Sequence, residues 1–524
     1  MGEEREAVSQ LDIVRRCSSD DEEMKTVALQ RLIMLSRYPA VRSVLATHDA
    51  VSVLLLLIAQ DNLSLLLLLK LLRNLCGGDR SNQDAFLRKN GVNFVATVVD
   101  RALDHVSMEM VSTLQVCLQV LGNVCGAGDA HRDAVWTAFF PDKFRALALL
   151  KDEGKIMEPL SMVIYTCSHG NVDHLNDLCL PDGAFRISPC LQARTLCNGT
   201  SDWVWLLMLE LCSEKSHVPL LFASLQGSFE EGIPEHQFTR EQVTLLSCLL
   251  DVLGDEHSHD IVQNSGIDLV ALIEFLAQIL RDAAFIYFTL HPTTSSLVSH
   301  ATGPCGIPVI DVLGYTLELF KLLSGLDCGD QKSGSRFSRS PVVGKLVQNG
   351  VIELFIELLK GLGPPELVVR SMQCSNAHVN DSVCELNGKD GQEGSRLMTN
   401  CAEAPLNNTT STLPYRGYRR DLVAVIGNAA YQNRPVQDAV RHLGGLFLVL
   451  QQCVVDEANP YLREWGLWAV RNLVDSNIEN SKELADLQMR GSLTPVELAE
   501  MGYKVEVDSE LGRPKLINMA SKNG

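Results

Sequence analysis

A chain of 524 residues is too long for one compact core, so it must divide into domains or stack as repeats. Hydrophobic residues make up 46% of it, enough for most of the chain to fold, and a formal net charge of −19 argues against broad contact with phosphate backbones. No secretory signal is legible in Met1-Gly2-Glu3-Glu4-Arg5-Glu6, Glu6 stands where myristoylation needs Ser or Thr, and Gln60, Asp61, Asn62 and Ser64 break the richest apolar stretch, Ala50 to Leu72, so a soluble cytoplasmic protein is expected.

Apolar residues recur at three- and four-residue spacing through most of the chain, which predicts helices throughout. One helix ends at Leu72-Arg73-Asn74-Leu75-Cys76, and Asn82-Gln83-Asp84 opens the next. A second ends at Leu121-Gly122-Asn123-Val124-Cys125, followed by Arg132-Asp133-Ala134-Val135. After residue 290 the chain is polar and Gly/Ser-rich at 291–308 and 327–340, which predicts two loops, and Ser338 and Ser340 lie in a phosphorylatable context. Residues 371–414 lack any helical period and predict a disordered polar insertion between repeat blocks. A third helix ends at Ile426-Gly427-Asn428-Ala429-Ala430, with Gln437-Asp438-Ala439-Val440 after it, and a fourth at Val470-Arg471-Asn472-Leu473-Val474. Asn459-Pro460 reads as an N-cap with Pro at the first helical position, and Thr494-Pro495-Val496-Glu497 as a capping box. The alternation from Tyr503 to Asp508 predicts an extended tail folded back over the last helices.

Asn74 and Asn123 are 49 residues apart, Asn428 and Asn472 44. A short helix, then Gly and an apolar segment, follows the Asn helix at Asn90-Gly91-Val92, Asn349-Gly350-Val351 and Leu443-Gly444-Gly445-Leu446, where Gly supplies the left-handed residue that stops a helix. A short helix and two longer ones per roughly 40–50 residues is the armadillo/HEAT pattern, so an all-α, right-handed superhelical solenoid is expected. The expected division is 1–370 N-terminal repeats, 371–414 insertion, 415–516 C-terminal block with its tail, and 517–524 a flexible end.

From about Arg420 the chain resembles the C-terminal block of the ataxin-10 family. The resemblance is carried by Ile426-Gly427-Asn428, Gln437-Asp438-Ala439-Val440, the specific run Asn459-Pro460-Tyr461-Leu462-Arg463-Glu464-Trp465, and Ala469-Val470-Arg471-Asn472-Leu473. It implies a cytoplasmic armadillo-repeat scaffold without catalytic residues, linked to cytokinesis and, in animals, to neuronal survival and neurite growth.

An Asn near the end of a repeat's last helix can donate to and accept from an extended peptide backbone in the concave groove. A Trp four residues earlier stands one turn away and forms a slot for aliphatic stems. Trp468-x-x-x-Asn472 has that spacing and resembles the Trp–Asn pairs of armadillo nuclear-import receptors, with Trp465 and Tyr461 extending the stripe. The positions four before Asn74, Asn123 and Asn428 are Lys70, Gln119 and Ala424, so a full peptide-reading ladder is not expected. The candidate partner-binding residues are therefore Trp465, Trp468, Arg471, Asn472, Asn428, Asn123 and Asn74. For each Asn the competing reading is a structural polar group at a helix end, and for Trp465 and Trp468 it is inter-repeat core.

Sixteen cysteines without a Cys-x-x-Cys read as buried free thiols rather than zinc ligands or disulfides. His257-x-His259-Asp260 is the one tight His/acid cluster and has no third helper at ligand spacing, so no metal is expected. Phosphate loops, nucleophile elbows and zincin motifs are missing, so neither cofactor nor catalytic residue is assigned. Three functions compete: an adaptor taking extended or helical segments of partner proteins in its groove, a regulatory subunit holding one catalytic partner, and, least favoured, an enzyme in its own right. Nucleic acid and membrane are not expected as partners.

Overall fold

The computed structural model describes residues 2–17, 22–60, 64–104, 107–150, 155–180, 202–213, 217–226, 238–254, 269–290, 305–325, 341–369, 413–489, 503–507 and 514–518. The His257/His259 cluster, the 327–340 loop with Ser338 and Ser340, most of 291–308, nearly all of 371–414 and the Thr494 capping box lie outside these residues. The protein is an all-α solenoid, as expected, closed by a short hairpin. Its contacts group it into two compact units, residues 1–231 with 247–267, and 232–246 with 268–524.

The first unit opens with α1 (Gly2–Arg16) packed on α2 (Glu22–Leu35). Three-helix repeats follow. These are α3 (Pro39–Thr47), α4 (Ala50–Ala59) and α5 (Leu65–Cys76); α6 (Arg80–Arg88), α7 (Gly91–Asp104) and α8 (Met108–Cys125); and α9 (Asp129–Phe139), α10 (Asp142–Ala148) and α11 (Met157–Ser168). Then come α12 (Val172–Cys179), α13 (Asp202–Ser213) and α14 (His217–Ser224), while α15 (Arg240–Gly254) crosses the division between units. The third helices stack in series, α2 on α5, α5 on α8, α8 on α11 and α11 on α13. Leu68, Leu72, Leu75, Leu114, Leu118 and Leu121 are fully buried between them, each contributing about 1.5–3 kcal/mol of burial.

The second unit holds α16 (Leu269–Leu290), α17 (Pro308–Gly325), α18 (Pro341–Gln348), α19 (Val351–Gly361), α20 (Tyr418–Ala430), α21 (Arg434–His442), α22 (Gly445–Leu450), α23 (Leu462–Val474) and α24 (Ile478–Met489). Here α17, α20 and α23 stack in series, and within α20 only Arg420 and Asn428 are even half-exposed. The insertion does not separate two blocks. It interrupts one repeat, because α18 and α19 before it supply the first two helices and α20 after it the third. Arg419 bolts the two sides together. Its buried guanidinium donates to the Gly363 carbonyl at 2.7 Å, the Leu362 carbonyl at 3.3 Å and Gln452 Oε1 at 3.2 Å. The third helix of that repeat, α20, therefore packs on helices that precede the insertion.

Local chemistry departs from expectation in two more places. Asn459 does not cap α23; its Oδ1 accepts from the Arg419 backbone N–H, and Tyr461, with φ +64°, is the N-cap residue. At Asn90-Gly91 the left-handed residue is Asn90, whereas Gly91 is the first residue of α7, where a Cβ would lie 2.5 Å from the Phe86 ring. At Gly444-Gly445 both needs appear in turn: Gly444 takes φ +68°, and Gly445 makes the close approach to Val440 and Ile356.

The tail is a two-stranded antiparallel hairpin, β1 (Tyr503–Val507) and β2 (Pro514–Asn518), with Val505 opposite Leu516. Strand β2 lies against α24, so the chain does fold back, and Ile517 and Asn518 are strand rather than flexible end. Among the described residues no single helix is long and apolar enough to cross a membrane. The described cysteines are free thiols and mostly buried, and Cys125 and Cys167 share a thiol hydrogen bond at 3.4 Å rather than a disulfide.

Candidate partner-binding surface

The repeated Asn has a structural partner in every case. Asn472 donates to the Gly427 carbonyl at 2.9 Å, Asn123 to Arg73 at 2.9 Å, Asn74 to Ile33 at 3.2 Å, and Asn428 to Lys321 at 3.4 Å. Each acceptor belongs to the preceding stacked helix, and two of them stand immediately before that helix's own Asn. The physical reason lies at the helix end, where the last carbonyls have no donor of their own. In α20 the Tyr431 N–H turns to the Asn428 carbonyl; in α5 the Gly77 N–H turns to Asn74; after α2 the Arg37 N–H turns to Met34. Each turn tightens by one residue, and the Asn amide serves the carbonyl this leaves over.

The converse also holds. Where the next stacked helix brings no Asn, the ordinary bond persists: Gly126 N–H to Gly122, His169 N–H to Tyr165 and Asp475 N–H to Arg471. At α11, Thr166 occupies the Asn position and its hydroxyl bonds its own helix at Met162.

The Gln of the following short helix completes the clasp. Gln83 Nε2 donates to the carbonyls of Cys76 at 3.0 Å and Asn123 at 2.8 Å. Gln437 Nε2 makes the same pair to Ala430 at 3.2 Å and Asn472 at 2.8 Å. These Gln residues were visible in the repeated motif, but their role needs the next repeat in place. The Asn amide nitrogens are thus engaged within the fold. Asn74 is engaged at both ends, since its Oδ1 accepts from Arg73 Nε and Nη2.

The Trp side chains behave differently. Trp468 is 38% exposed and its ring stacks on Tyr431, with centroids 6.2 Å apart and planes 16° from parallel. Gly427 makes this closeness possible, because a Cβ there would stand 3.0 Å from Ala469 Cβ and 3.4 Å from Trp468 Cδ1. Arg471, one turn on, is exposed, and Asn472 beside it is buried. Trp465 is half-buried on the same helix. Tyr461 does not extend the stripe, because it precedes the helix and is 71% exposed at its N-cap. Tyr431 is the residue sequence reasoning missed. Its signal is an aromatic just past the Ala429-Ala430 helix end, three residues after the motif Asn.

Chemically this is a flat aromatic shelf beside a guanidinium, held by a buried amide clasp. It can stack on apolar or planar side chains and pair with a carboxylate; it has no nucleophile–base pair. Among the described residues no group of three His, Cys, Asp or Glu side chains could hold a metal ion. Burial pushes the Cys117, Cys179 and Cys212 thiols up to about 12, which leaves them poor nucleophiles.

Stacked three-helix repeats, several of them clasped by an Asn amide, with an exposed aromatic shelf in the second unit, define an armadillo-type helical repeat protein. Residues 418–517 match the model of the spinocerebellar ataxia type 10 protein domain. The chain is 24% identical to ataxin-10 of Xenopus tropicalis over 442 residues, covering 83% of this chain and 77% of that one. It is 37% identical to the ataxin-10 homolog of Dictyostelium discoideum over 107 residues, 20% of this chain and 17% of that one. Among solved structures, a designed armadillo repeat protein in complex with the peptide (KR)4 is similar at a TM-score of 0.34 and 14% identity, over 51% of this chain and 98% of that one. Residues 418–517 thus carry the family's domain, and the chain is similar to ataxin-10 over most of its length.

Proposed function

We propose that this protein is a non-enzymatic cytoplasmic scaffold that holds extended or helical segments of partner proteins against its stacked third helices, and that it serves cell division at cytokinesis. The family and the repeat fold are of a kind typically without catalysis. The observation that carries the binding reading is the Trp468–Tyr431 shelf, an exposed Trp stacked on a half-buried Tyr at the end of α20, whose side chains are otherwise buried but for Arg420 and Asn428. Partner recognition at this shelf rests on Trp468, Tyr431 and Arg471, with Trp465 behind them. Asn472, Asn428, Asn123 and Asn74 act as the frame. Neither nucleic acid nor a membrane is a partner in this reading.

The test is affinity capture from dividing cells with the wild-type chain and with Trp468→Ala and Tyr431→Ala. Loss of a shared set of protein partners, with helicity unchanged by circular dichroism, is the expected outcome. Capture of the same partners in the same amounts by folded variants removes the shelf from the reading. A cytokinesis role further requires that cells carrying only Trp468→Ala accumulate binucleate daughters.

A further inference from the structure

The first unit carries a positive cluster in a chain whose net charge is −19. The Asn74 clasp brings the end of α2 against the end of α5, since Asn74 Nδ2 reaches both the Ile33 carbonyl and, at 3.0 Å, Ser36 Oγ. This sets Arg37 beside Arg73, and Lys70 lies one turn before Arg73 on the same helix. Arg73 is held in place: Nη1 donates to Gln119 Oε1 at 2.8 Å, and Nε and Nη2 share Asn74 Oδ1. All of these acceptors are neutral. The bonds engage three of the five guanidinium N–H groups, so the fork retains donors for a ligand. Among the described residues neither Arg37, Lys70 nor Arg73 has a carboxylate partner, whereas Arg31, Arg80, Lys143, Lys321 and Arg434 each do. Burial, and then the charge of Arg37, hold the Arg73 pKa below its ordinary value, the mark of a cation short of negative charge. Met34 and Tyr38, each 52% exposed, flank Arg37 in sequence and add apolar surface next to the charges.

Cations at helix C-termini do complement the helix dipole, and Arg42 does so here by donating to the Ser36 and Arg37 carbonyls. Lys70 lies a turn inside α5, and the Arg73 guanidinium reaches across to α8 instead of capping its own helix, so that role does not account for the cluster.

We propose that the surface formed by Arg37, Lys70 and Arg73, with Met34 and Tyr38 at its edge, docks an extended acidic segment of a partner protein. Arg73 is the fixed fork that receives one carboxylate in two-point contact, and Arg37 and Lys70 neutralise its neighbours. Exposed Met and Tyr beside three cations suit a peptide with mixed acidic and apolar side chains; a nucleic acid backbone asks for a longer basic stripe. This names a partner chemistry for the binding function proposed above and rests on that reading, but on a separate surface.

The test is fluorescence anisotropy of the full chain with three labelled probes: a peptide alternating Asp/Glu with Leu and Ala, its Asn/Gln isostere, and a single-stranded oligonucleotide of equal charge. The acidic peptide should bind, weaken as salt rises, and exceed both other probes. Arg37→Glu with Lys70→Glu should weaken it by about tenfold or more, since two attractions become two repulsions. Arg73→Lys should weaken it with the charge retained, because the fork is lost. Trp468→Ala should leave it unchanged, so failure here and failure of the aromatic shelf are read separately. Should the double reversal not fold, Lys70→Gln alone carries the test through a smaller loss. The proposal is overturned by no binding of the acidic peptide up to about 1 mM, by unchanged affinity in folded charge variants, or by an oligonucleotide that binds as well or better.

Discussion

Replacing Asn472 with Ala removes one buried amide and tests the clasp directly. Asn472 is 4% exposed, and its Nδ2 donates to the Gly427 carbonyl at 2.9 Å, an acceptor left over when Tyr431 N–H turned to Asn428. A hydrogen bond of this kind contributes about 0.5–1.5 kcal/mol net, and a buried acceptor left without a donor costs about 1–3 kcal/mol. The larger figure applies only if the end of α20 cannot relax. It has a relaxed form available, the ordinary bond kept at Gly122, Tyr165 and Arg471, in which the Tyr431 N–H would return to Gly427. The expected cost is therefore about 1 kcal/mol, near the lower range. The measurement is urea denaturation followed by tryptophan fluorescence, together with hydrogen exchange resolved to residues 418–434. The midpoint should fall and exchange near Tyr431 should rise, while exchange in α5 and α8 of the first unit stays as it was. If neither the midpoint nor the exchange moves, the Asn–carbonyl bond is not what ties the repeats. A loss above about 4 kcal/mol would mean the side chain supports packing well beyond one bond.

Two further expectations concern titratable groups. Cys117, Cys179 and Cys212 have thiols raised to about 12 by burial, so in the native chain iodoacetamide at pH 8 should modify half-exposed Cys17 and Cys453 and spare these three. Peptide mapping that finds the buried sites labelled first would contradict the packing. Asp438 is the opposite case: burial pushes its pKa up, but hydrogen bonds from Arg434, Asn477 and Arg441 outweigh this and hold it below the ordinary 3.8. A depressed native carboxyl contributes stability above its unfolded pKa and loses it as pH falls through the native value. The Tm gap between wild type and Asp438→Asn should therefore be full near neutrality and narrow from about pH 5 downward; a gap that is constant with pH would remove the ionised Asp438 from the stability of α21.

Much of this arrangement is written locally. The three- and four-residue apolar spacing determines helices, and the Asn recurs where the preceding helix end leaves a carbonyl without its own donor. The glycine pair at 444–445 can be read as a stop followed by a close approach. The repeat period alone requires stacking, since no single repeat covers its own apolar face. What the sequence could not supply are relations across some 40 residues or more. Whether Asn472 reads a partner or serves Gly427 depends on where α20 ends, and that end is set by the next helix packed upon it. The insertion was visible as a polar stretch, but only Arg419, bonded back to Leu362 and Gly363, reveals that it interrupts a repeat. Tyr431 becomes a shelf for Trp468 because Gly427 lets α23 approach, and Arg37 meets Arg73 because Asn74 holds two helix ends together. Local pattern decides which elements form; the buried amides and the close approaches between them decide which surfaces are left to bind.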